Sequence, residues 1–169
     1  MSIKTIKEKV LVIGKTGQVA SELFVLQPHW IYTDRSVCDL SDPKTFEKQL
    51  LNHIESTKPT ILVNASAYTK VDLAEEESSL CDNINHHAVQ VMAKLCRDQK
   101  IKFIHLSTDY VFDGCKNTPY KENDWPSPQK NFGNHNKSNV SLFRIIVPFQ
   151  NMGLSEVLIF KLVRLPRPN

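Results

Sequence analysis

The chain has 169 residues, a hydrophobic fraction of 41% and a formal net charge of +3 from 21 basic and 18 acidic residues, which suits one domain with a real core rather than two. The charges are scattered, so no basic stripe indicates a nucleic-acid partner or a membrane surface. The first residues lack the apolar stretch of a signal peptide, and no apolar run approaches membrane-spanning length. We therefore expect a cytoplasmic protein with no nucleic-acid or membrane partner.

The cysteines lie far apart in the sequence and form no CxxC pair. They are Cys38, Cys81, Cys96 and Cys115. Such spacing is typical of reduced, partly buried thiols and not of a disulfide framework or a metal site. No set of metal ligands is predicted from the sequence.

Short apolar segments alternate with helical patterns through the first hundred residues. Val10–Ile13 is predicted as a strand, and after a glycine turn Val19, Leu23 and Leu26 recur at helical spacing. Residues 29–33 are predicted as a second strand. A second strand-helix unit therefore follows the first directly.

The next helix is predicted to begin at Asp42 as N-cap, with Pro43 at its first position, and to run to about Glu55. A third strand is predicted at residues 61–63 and a fourth at residues 103–106.

Between these two strands, Ala88, Met92 and Leu95 mark one face of a helix that is predicted to run to about Gln99. Short apolar strands that are separated by helices are joined by crossovers. We therefore predict an α/β fold with a doubly wound parallel sheet of the Rossmann type.

The regular pattern ends after about residue 120. Pro119, Pro126 and Pro128 lie among polar residues, and no periodic frame joins the apolar runs at 142–147 and 157–160. We assign residues 1–130 to one domain and residues 131–169 to a divergent or frame-changed tail.

A glycine motif, Gly14-x-x-Gly17-x-x-Ala20, falls between the first predicted strand and helix. At this position a dinucleotide pyrophosphate meets backbone N–H groups and the positive end of the helix dipole. Gly14 permits the tight turn, Gly17 lets phosphate approach the backbone, and Ala20 is small enough for helix-strand packing. The alternative is an ordinary turn between a strand and a helix.

Acidic residues follow the second predicted strand. Asp34 lies 20 positions after Gly14, where a carboxylate accepts hydrogen bonds from the adenosine ribose in dinucleotide-binding folds. Arg35 could instead contact a 2′-phosphate, so the pair does not separate NADH from NADPH. A solvated turn is the alternative for both residues, and Asp39 is equally ambiguous.

Small and polar residues follow the third and fourth predicted strands. Residues 64–72 read NASAYTKVD, and residues 106–114 read LSTDYVFDG. Small side chains let a cofactor lie against the backbone, whereas hydroxyls and carboxylates suit a substrate. Both segments are predicted at the carboxyl edge of the sheet, where doubly wound folds bind ligands.

Residues 14–19 (GKTGQV), 64–72 and 107–114 resemble, in order and spacing, signatures of the dTDP-4-dehydrorhamnose reductase family of extended short-chain dehydrogenases/reductases. The resemblance covers about residues 8–128. Such enzymes reduce the 4-keto group of a dTDP-linked deoxyhexulose with NADPH or NADH, and so make dTDP-L-rhamnose for cell-surface polysaccharide. The resemblance implies a dTDP-sugar substrate and NADPH or NADH as cofactor. Residues 1–130 would then be an NAD(P)-binding domain, and residues 131–169 would lack the family's substrate domain. Mg²⁺ and a homodimer are expected from the resemblance alone.

The resemblance also assigns roles to residues in each loop. The implied pyrophosphate contacts are Gly17, Gln18 and Val19, and those at the adenosine end are Asp34, Asp39 and Leu40. The rest of the dinucleotide would lie against Ala67, Tyr68, Thr69 and Leu106. Thr108 and Asp109 would face the sugar, and Thr108 would assist catalysis.

The family takes its proton from the tyrosine of a YxxxK motif, whose pKa the lysine charge lowers. Here residues 131–137 read NFGNHNK, so that Phe132 stands at the tyrosine position, Asn136 at the lysine position and Lys137 one position late. Because phenylalanine has no proton to give, we expect no useful reductase activity. Such an abrupt loss of resemblance is what a reading-frame change or a truncation would leave, and we favour a frame change over a genuinely divergent tail.

Two other functions are compatible with the pattern. The regulatory subunit of methionine adenosyltransferase has a related fold without catalysis, although the likeness is weaker in the glycine turn and in residues 64–72. A sugar-nucleotide epimerase or dehydratase of the same superfamily is the other alternative, and the Thr108-Asp109 pair argues against it.

Overall fold

The computed structural model describes residues 8–117, 124–125 and 127–129. Within them, four strands form one sheet in the order β2-β1-β3-β4, and every neighbouring pair is parallel. The strands are β1 (Val10–Ile13), β2 (Ile31–Thr33), β3 (Ile61–Asn64) and β4 (Lys102–His105). The chain leaves β1 for β2 on one side and returns to β3 on the other. The strand order therefore reverses beside β1, where doubly wound sheets open a crevice for ligands.

The helices alternate with the strands. They are α1 (Gln18–Leu26), α2 (Pro43–Thr57), α3 (Ser78–Asp82) and α4 (Ala88–Asp98). A π-helical turn at Asn83–His87 joins α3 to α4 without a break. Two short 3₁₀ turns, Asp72–Ala74 and Asp109–Val111, follow β3 and β4.

Side chains of alternate strand residues pack against opposite layers of helices. Leu11 and Leu62 lie in the larger core with α2 and α4, which contribute Phe46, Leu50 and Met92. On the opposite face, the smaller core contains Val10, Val12, Val63 and Ala20 of α1. Helices therefore cover both faces of a parallel sheet, and the predicted α/β doubly wound fold is confirmed.

The predicted helix after Asp42 is confirmed, and hydrogen bonds to the Asp42 carboxylate explain where the helix begins. The Asp42 carboxylate accepts hydrogen bonds from the Lys44 N–H at 3.1 Å and the Thr45 hydroxyl at 2.6 Å, and Pro43 is the first helical residue. These hydrogen bonds, that of Thr45 first, lower the pKa of Asp42. Lys58 ends the helix in a left-handed conformation.

The predicted start of the second strand was wrong. His29 and Trp30 lie in a turn rather than in β2, and the Trp30 N–H donates to the Gln27 carbonyl at 3.1 Å, so the backbone is still closing helix α1 at that point. Leu26 shares the helical spacing of Val19 and Leu23 but is 70% exposed. The smaller core reaches Leu23 but not Leu26.

Three of the four thiols are buried, as predicted. Burial raises the pKa of Cys38 and Cys81 to about 11 and that of Cys96 to about 12, whereas Cys115 is exposed. Among the described residues, no helix combines the length and the apolar character needed to cross a membrane. The predicted boundary at residue 130, the tail 131–169, Phe132 and Asn136 all lie outside the described residues.

Candidate functional site

The glycine turn between β1 and α1 is held against the ends of its two neighbouring strands. The N–H groups of Gly14 and Lys15 donate to the Thr33 carbonyl at 2.9 and 3.1 Å, and the Ala65 N–H donates to the Ile13 carbonyl at 2.9 Å. Gly14 has φ +105°, and a Cβ on it would lie 2.9 Å from the Ser66 Cβ. Glycine is therefore required at position 14 by both conformation and space.

Gly17 is the N-cap of α1 and has no side chain with which to cap the helix. Its own N–H donates to the Gly14 carbonyl at 2.9 Å. The next N–H groups, at Gln18 and Val19, have no partner inside the helix because they belong to its first turn. The fold thus presents backbone donors and the positive end of a helix dipole beside a residue without a Cβ, which fits a phosphate group.

Asn64 at the end of β3 organises the loop that touches the glycine turn. Its Oδ1 accepts from the Ser66 N–H at 3.0 Å and the Ser66 hydroxyl at 2.6 Å, and its Nδ2 lies 3.0 Å from Nδ1 of His105. Asn64 and His105 are buried, and burial lowers the pKa of His105 to about 4. A neutral imidazole therefore joins the ends of β3 and β4 at ordinary pH.

The loop after β2 places Asp34 directly beyond the strand. Its carboxylate accepts from both the hydroxyl of Ser36, at 2.6 Å, and the Ser36 N–H, at 2.9 Å. These hydrogen bonds, the hydroxyl first, lower the pKa of Asp34, and the charge of Lys15 from the glycine turn adds to the effect. Asp34 is thus an oriented carboxylate close to the glycine turn.

Asp39 and Leu40, in the same loop, have structural partners. The Asp39 carboxylate accepts from the Ser41 N–H at 3.0 Å and lies 3.8 Å from Nε of Arg35. The Ser41 hydrogen bond is the main reason that the pKa of Asp39 is lowered. The Leu40 side chain packs in the larger core. The Leu40 side chain is therefore not available to a ligand.

The loop after β3 is anchored by Asn85 of the π-helical turn. The Tyr68 N–H donates to Oδ1 of Asn85 at 2.8 Å, and Nδ2 of Asn85 donates to the Tyr68 carbonyl at 3.0 Å. This pair of bonds fixes the loop while Ala67 and Thr69, on either side, remain exposed. Two small residues are thereby held at the carboxyl edge of the sheet.

The Tyr68 side chain points into the larger core. Its hydroxyl donates to the Glu77 carboxylate at 2.6 Å, and burial together with this hydrogen bond raises the pKa of Tyr68 to about 12. The phenol is therefore a poor proton donor, and its hydroxyl is held by Glu77 instead of being available at the sheet edge. A contact of Tyr68 with a dinucleotide would have to come from its backbone surface.

The loop after β4 carries the residues predicted to face the substrate. Leu106 and Thr108 are half-buried, and the Thr108 hydroxyl accepts from the Tyr110 N–H at 3.3 Å. Asp109 begins the following 3₁₀ turn.

The predicted site residues thus all follow the carboxyl ends of the strands. The glycine turn is hydrogen-bonded to Thr33, which precedes Asp34, and Gly14 lies against Ser66. Their roles remain predictions. Asn85 and His105 were not predicted, although a polar residue three positions before Ala88, on the apolar helix face, was a usable signal for Asn85.

A family model described as the RmlD substrate binding domain matches residues 8–139 of this chain. The dTDP-4-dehydrorhamnose reductase of Burkholderia thailandensis is 39% identical over 128 residues, which cover 74% of this chain and 42% of the relative. The enzyme of the same name from Salmonella typhimurium is 34% identical and is matched over 73% of this chain and 42% of its own length. The chain spans less than half the length of these curated relatives.

Solved structures give the same result for the fold. The dTDP-4-dehydrorhamnose reductase of Bacillus anthracis, solved in complex with NADP, superposes with a TM-score of 0.76 at 28% identity, over 83% of this chain and 50% of that chain. A hypothetical dTDP-4-dehydrorhamnose reductase from Sulfolobus tokodaii superposes with a TM-score of 0.70 at 30% identity, over 79% and 51% of the two chains.

Proposed function

Because the chain belongs to the RmlD substrate binding domain family, we propose that it is the dinucleotide-binding part of a dTDP-4-dehydrorhamnose reductase and binds NADPH or NADH at the carboxyl edge of its sheet. The observation that carries the proposal is the glycine turn, in which Gly14 is pressed against Ser66 and Gly17 opens helix α1 without a side chain. A Cβ-free helix start at the point of strand-order reversal is the place where such folds bind pyrophosphate.

The surrounding loops support the same placement. Asp34 offers an oriented carboxylate for ribose hydroxyls, and Arg35, with a side chain that is 77% exposed, is available to a 2′-phosphate. On the other side of the turn, Asn85 holds the backbone of residues 67–69 in place. The binding edge is therefore preorganised by hydrogen bonds that do not depend on the cofactor.

In the reductase reaction, a bound NADPH or NADH supplies hydride to the sugar carbonyl, and the carbonyl oxygen must receive a proton. Thr108 is proposed to hold the sugar at this oxygen, together with Asp109. Phe132 stands where the family has its proton-donating tyrosine. Tyr68 does not replace that tyrosine, because its hydroxyl donates to Glu77. We therefore propose that this polypeptide binds the cofactor in the cytoplasm but does not turn over the dTDP-sugar.

Calorimetric titration of the full chain with NADPH and NADH tests cofactor binding. Gly17→Glu should abolish it, because the carboxylate would fill the phosphate position and repel the anion. Asn52→Glu adds the same charge at an exposed position of α2 and should leave the affinity unchanged. Failure of the folded chain to bind either dinucleotide would refute the proposal, and equal affinity of both variants would refute the placement of the phosphates.

The second candidate is a non-catalytic NAD(P)-binding regulatory protein that resembles the methionine adenosyltransferase regulatory subunit. The phenylalanine at position 132 favours it, since a regulator needs no proton donor. Co-purification of the chain with a methionine adenosyltransferase catalytic subunit, and no association with dTDP-sugar, would support this function over the first.

A further inference from the structure

Outside the candidate dinucleotide site, one carboxylate faces two imidazoles at the junction of α3 and α4. Asp82 Oδ1 lies 3.0 Å from Nδ1 of His86, and Asp82 Oδ2 lies 2.9 Å from Nε2 of His87. The two rings stack with their centroids 4.6 Å apart. All three side chains are partly exposed, at 30%, 20% and 46% for Asp82, His86 and His87. An ion can therefore reach them from solvent.

The π-helical turn creates this convergence. In a regular α-helix, a residue four positions after Asp82 lies above it, whereas one five positions later is rotated away by about 140°. The wider turn over Asn83–His87 brings both His86 and His87 to the same carboxylate. Single π-helical turns inside α-helices occur frequently at functional sites.

The ligand atoms fit the size of a small metal ion. One oxygen of Asp82 and one nitrogen from each histidine all lie within 4.8 Å of one another. At the tetrahedral angle, two atoms that bind one Zn²⁺ at about 2.0–2.1 Å lie about 3.4 Å apart. Closing the site therefore requires the ligand atoms to approach one another by up to about 1.4 Å, which side-chain rotations provide.

Gln90 supplies the supporting contact that metal-binding histidines usually have. Its amide nitrogen lies 2.6 Å from Nε2 of His86, the ring nitrogen opposite to the one that faces Asp82. When Nδ1 binds a metal, Nε2 carries the proton, and rotation of the Gln90 amide places its oxygen against that N–H. Such a partner fixes the tautomer and the orientation of the ring.

The donor set selects the class of ion. Two imidazole nitrogens and one carboxylate oxygen suit Zn²⁺, Ni²⁺ or Cu²⁺, whereas Mg²⁺ prefers a shell of oxygen ligands. The histidine-containing set therefore does not fit the Mg²⁺ expected from the family resemblance. His87 and Gln90 also line an open groove of about 630 Å³ between α2 and α4, which leaves room for a water molecule as a further ligand.

We propose that Asp82, His86 and His87 form a binding site for one divalent transition-metal ion, with Zn²⁺ as the expected occupant and Gln90 as a positioning residue. The π-helical turn that carries the histidines also holds both neighbouring loops, through Asn83 to the Ser41 carbonyl at 2.8 Å and through Asn85 to Tyr68. Metal binding should therefore stabilise the folded chain. The site does not depend on the proposed dinucleotide function.

The test is zinc binding by the untagged full chain carrying Cys115→Ser, which removes the exposed thiol as a competing ligand. Equilibrium dialysis should give one Zn²⁺ per chain, reversed by EDTA, and Zn²⁺ but not Mg²⁺ should raise the melting temperature. His86→Gln and His87→Gln should each weaken binding by at least about tenfold. His29→Gln and His135→Gln, which change histidines outside the cluster, should bind as tightly as the parent.

Absence of stoichiometric binding, or equal affinity in the parent and both cluster variants, would overturn the proposal and leave a hydrogen-bonded cluster only. If a cluster variant does not fold, NMR spectroscopy of the parent protein locates the metal instead. On addition of paramagnetic Co²⁺, the ring NMR signals of two histidines should shift while that of His29 does not. Unchanged ring signals, or a shift of the His29 signal alone, would overturn the proposal as well.

Discussion

Gly14 lies so close to Ser66 that a Cβ on residue 14 would come within 2.9 Å of both the Cβ and the N of Ser66. Ser66 cannot withdraw, because Asn64 holds its N–H and its hydroxyl. The glycine at position 14 thus joins the turn after β1 to the loop after β3, independently of any bound ligand.

Gly14→Ala should therefore lower the free energy of unfolding by about 2–4 kcal/mol, through the overlap with Ser66 and through strain at a positive φ. Urea titration followed by circular dichroism measures the change. Gly17→Ala is the matched control, because its φ is −77° and its Cβ would meet backbone oxygens at 3.4 Å. It should cost less than about 1 kcal/mol. Equal losses in the two variants would contradict this account of Gly14.

Asn85→Ala should destabilise the chain by about 2 kcal/mol or more, because it leaves the buried N–H and carbonyl of Tyr68 without their partners. If the loop after β3 touches the dinucleotide, the affinity for NADPH should fall as well. Denaturant unfolding and calorimetric titration give the two values. Asn52→Ala, at an exposed position of α2, should change stability by no more than about 0.5 kcal/mol. Wild-type stability in the Asn85 variant would show that the loop has another anchor.

The strands were predictable where burial is continuous. Val10–Ile13 is buried at every position, so an apolar run without alternation indicated a central parallel strand, and its bounds were confirmed. Residues 29–33, HWIYT, are also rich in residues that favour strands, but the Trp30 N–H is used by the turn that closes α1. A local backbone hydrogen bond of this kind leaves no periodic signal in the sequence.

The sequence predicted the edge of the sheet at which the candidate site lies, but not the hydrogen bonds that hold its residues together. Glycine spacing and the order of strands and loops located the turn, Asp34 and the loop after β3, because strand ends in a parallel sheet meet at one edge. The roles of Asn85 and His105 depend on contacts across 17 and 41 residues of sequence. The π-helical turn has no composition of its own, so the convergence of His86 and His87 on Asp82 could not be inferred before the backbone was known.

Stability should depend on pH through His105. Burial lowers its pKa from 6.5 to about 4, so between these values the unfolded chain binds a proton that the folded chain does not. The free energy of unfolding should therefore be highest above pH 6.5 and fall by about 3 kcal/mol as the pH drops from 6.5 to 4. Urea unfolding at several pH values measures this slope.

His105→Gln should remove most of that slope, since glutamine does not titrate. His53→Gln is the control, because His53 is only half-buried and accounts for a smaller part of the pH dependence. The same slope in the wild type and in His105→Gln would show that the imidazole does not control acid stability.

Arg35→Ala should weaken NADPH binding by about three- to tenfold and leave NADH binding unchanged, because only NADPH carries the 2′-phosphate that the guanidinium would contact. Arg35 is available for this role, since its 3.8 Å pair with Asp39 is exposed and such pairs are weak. Arg97→Ala, which removes an exposed arginine paired with Asp98 at 3.2 Å, should alter neither affinity. Parallel losses for both cofactors after Arg35→Ala would place the arginine elsewhere in the site.

The 169-residue polypeptide should show no detectable reduction of dTDP-4-dehydrorhamnose, even when NADPH is bound. Phe132 offers no proton, and loss of general acid catalysis alone lowers the rate by about 10²–10⁴. Tyr68 cannot take its place, because its pKa is raised to about 12 and its hydroxyl donates to Glu77. NADPH oxidation followed at about 100 times the usual enzyme concentration, which offsets a 10²-fold loss of rate, measures the residual rate. The Salmonella typhimurium reductase, 34% identical to this chain, is the positive control. Oxidation that depends on the dTDP-sugar and disappears in Thr108→Val would contradict the prediction, since the threonine hydroxyl would then have to deliver the proton itself.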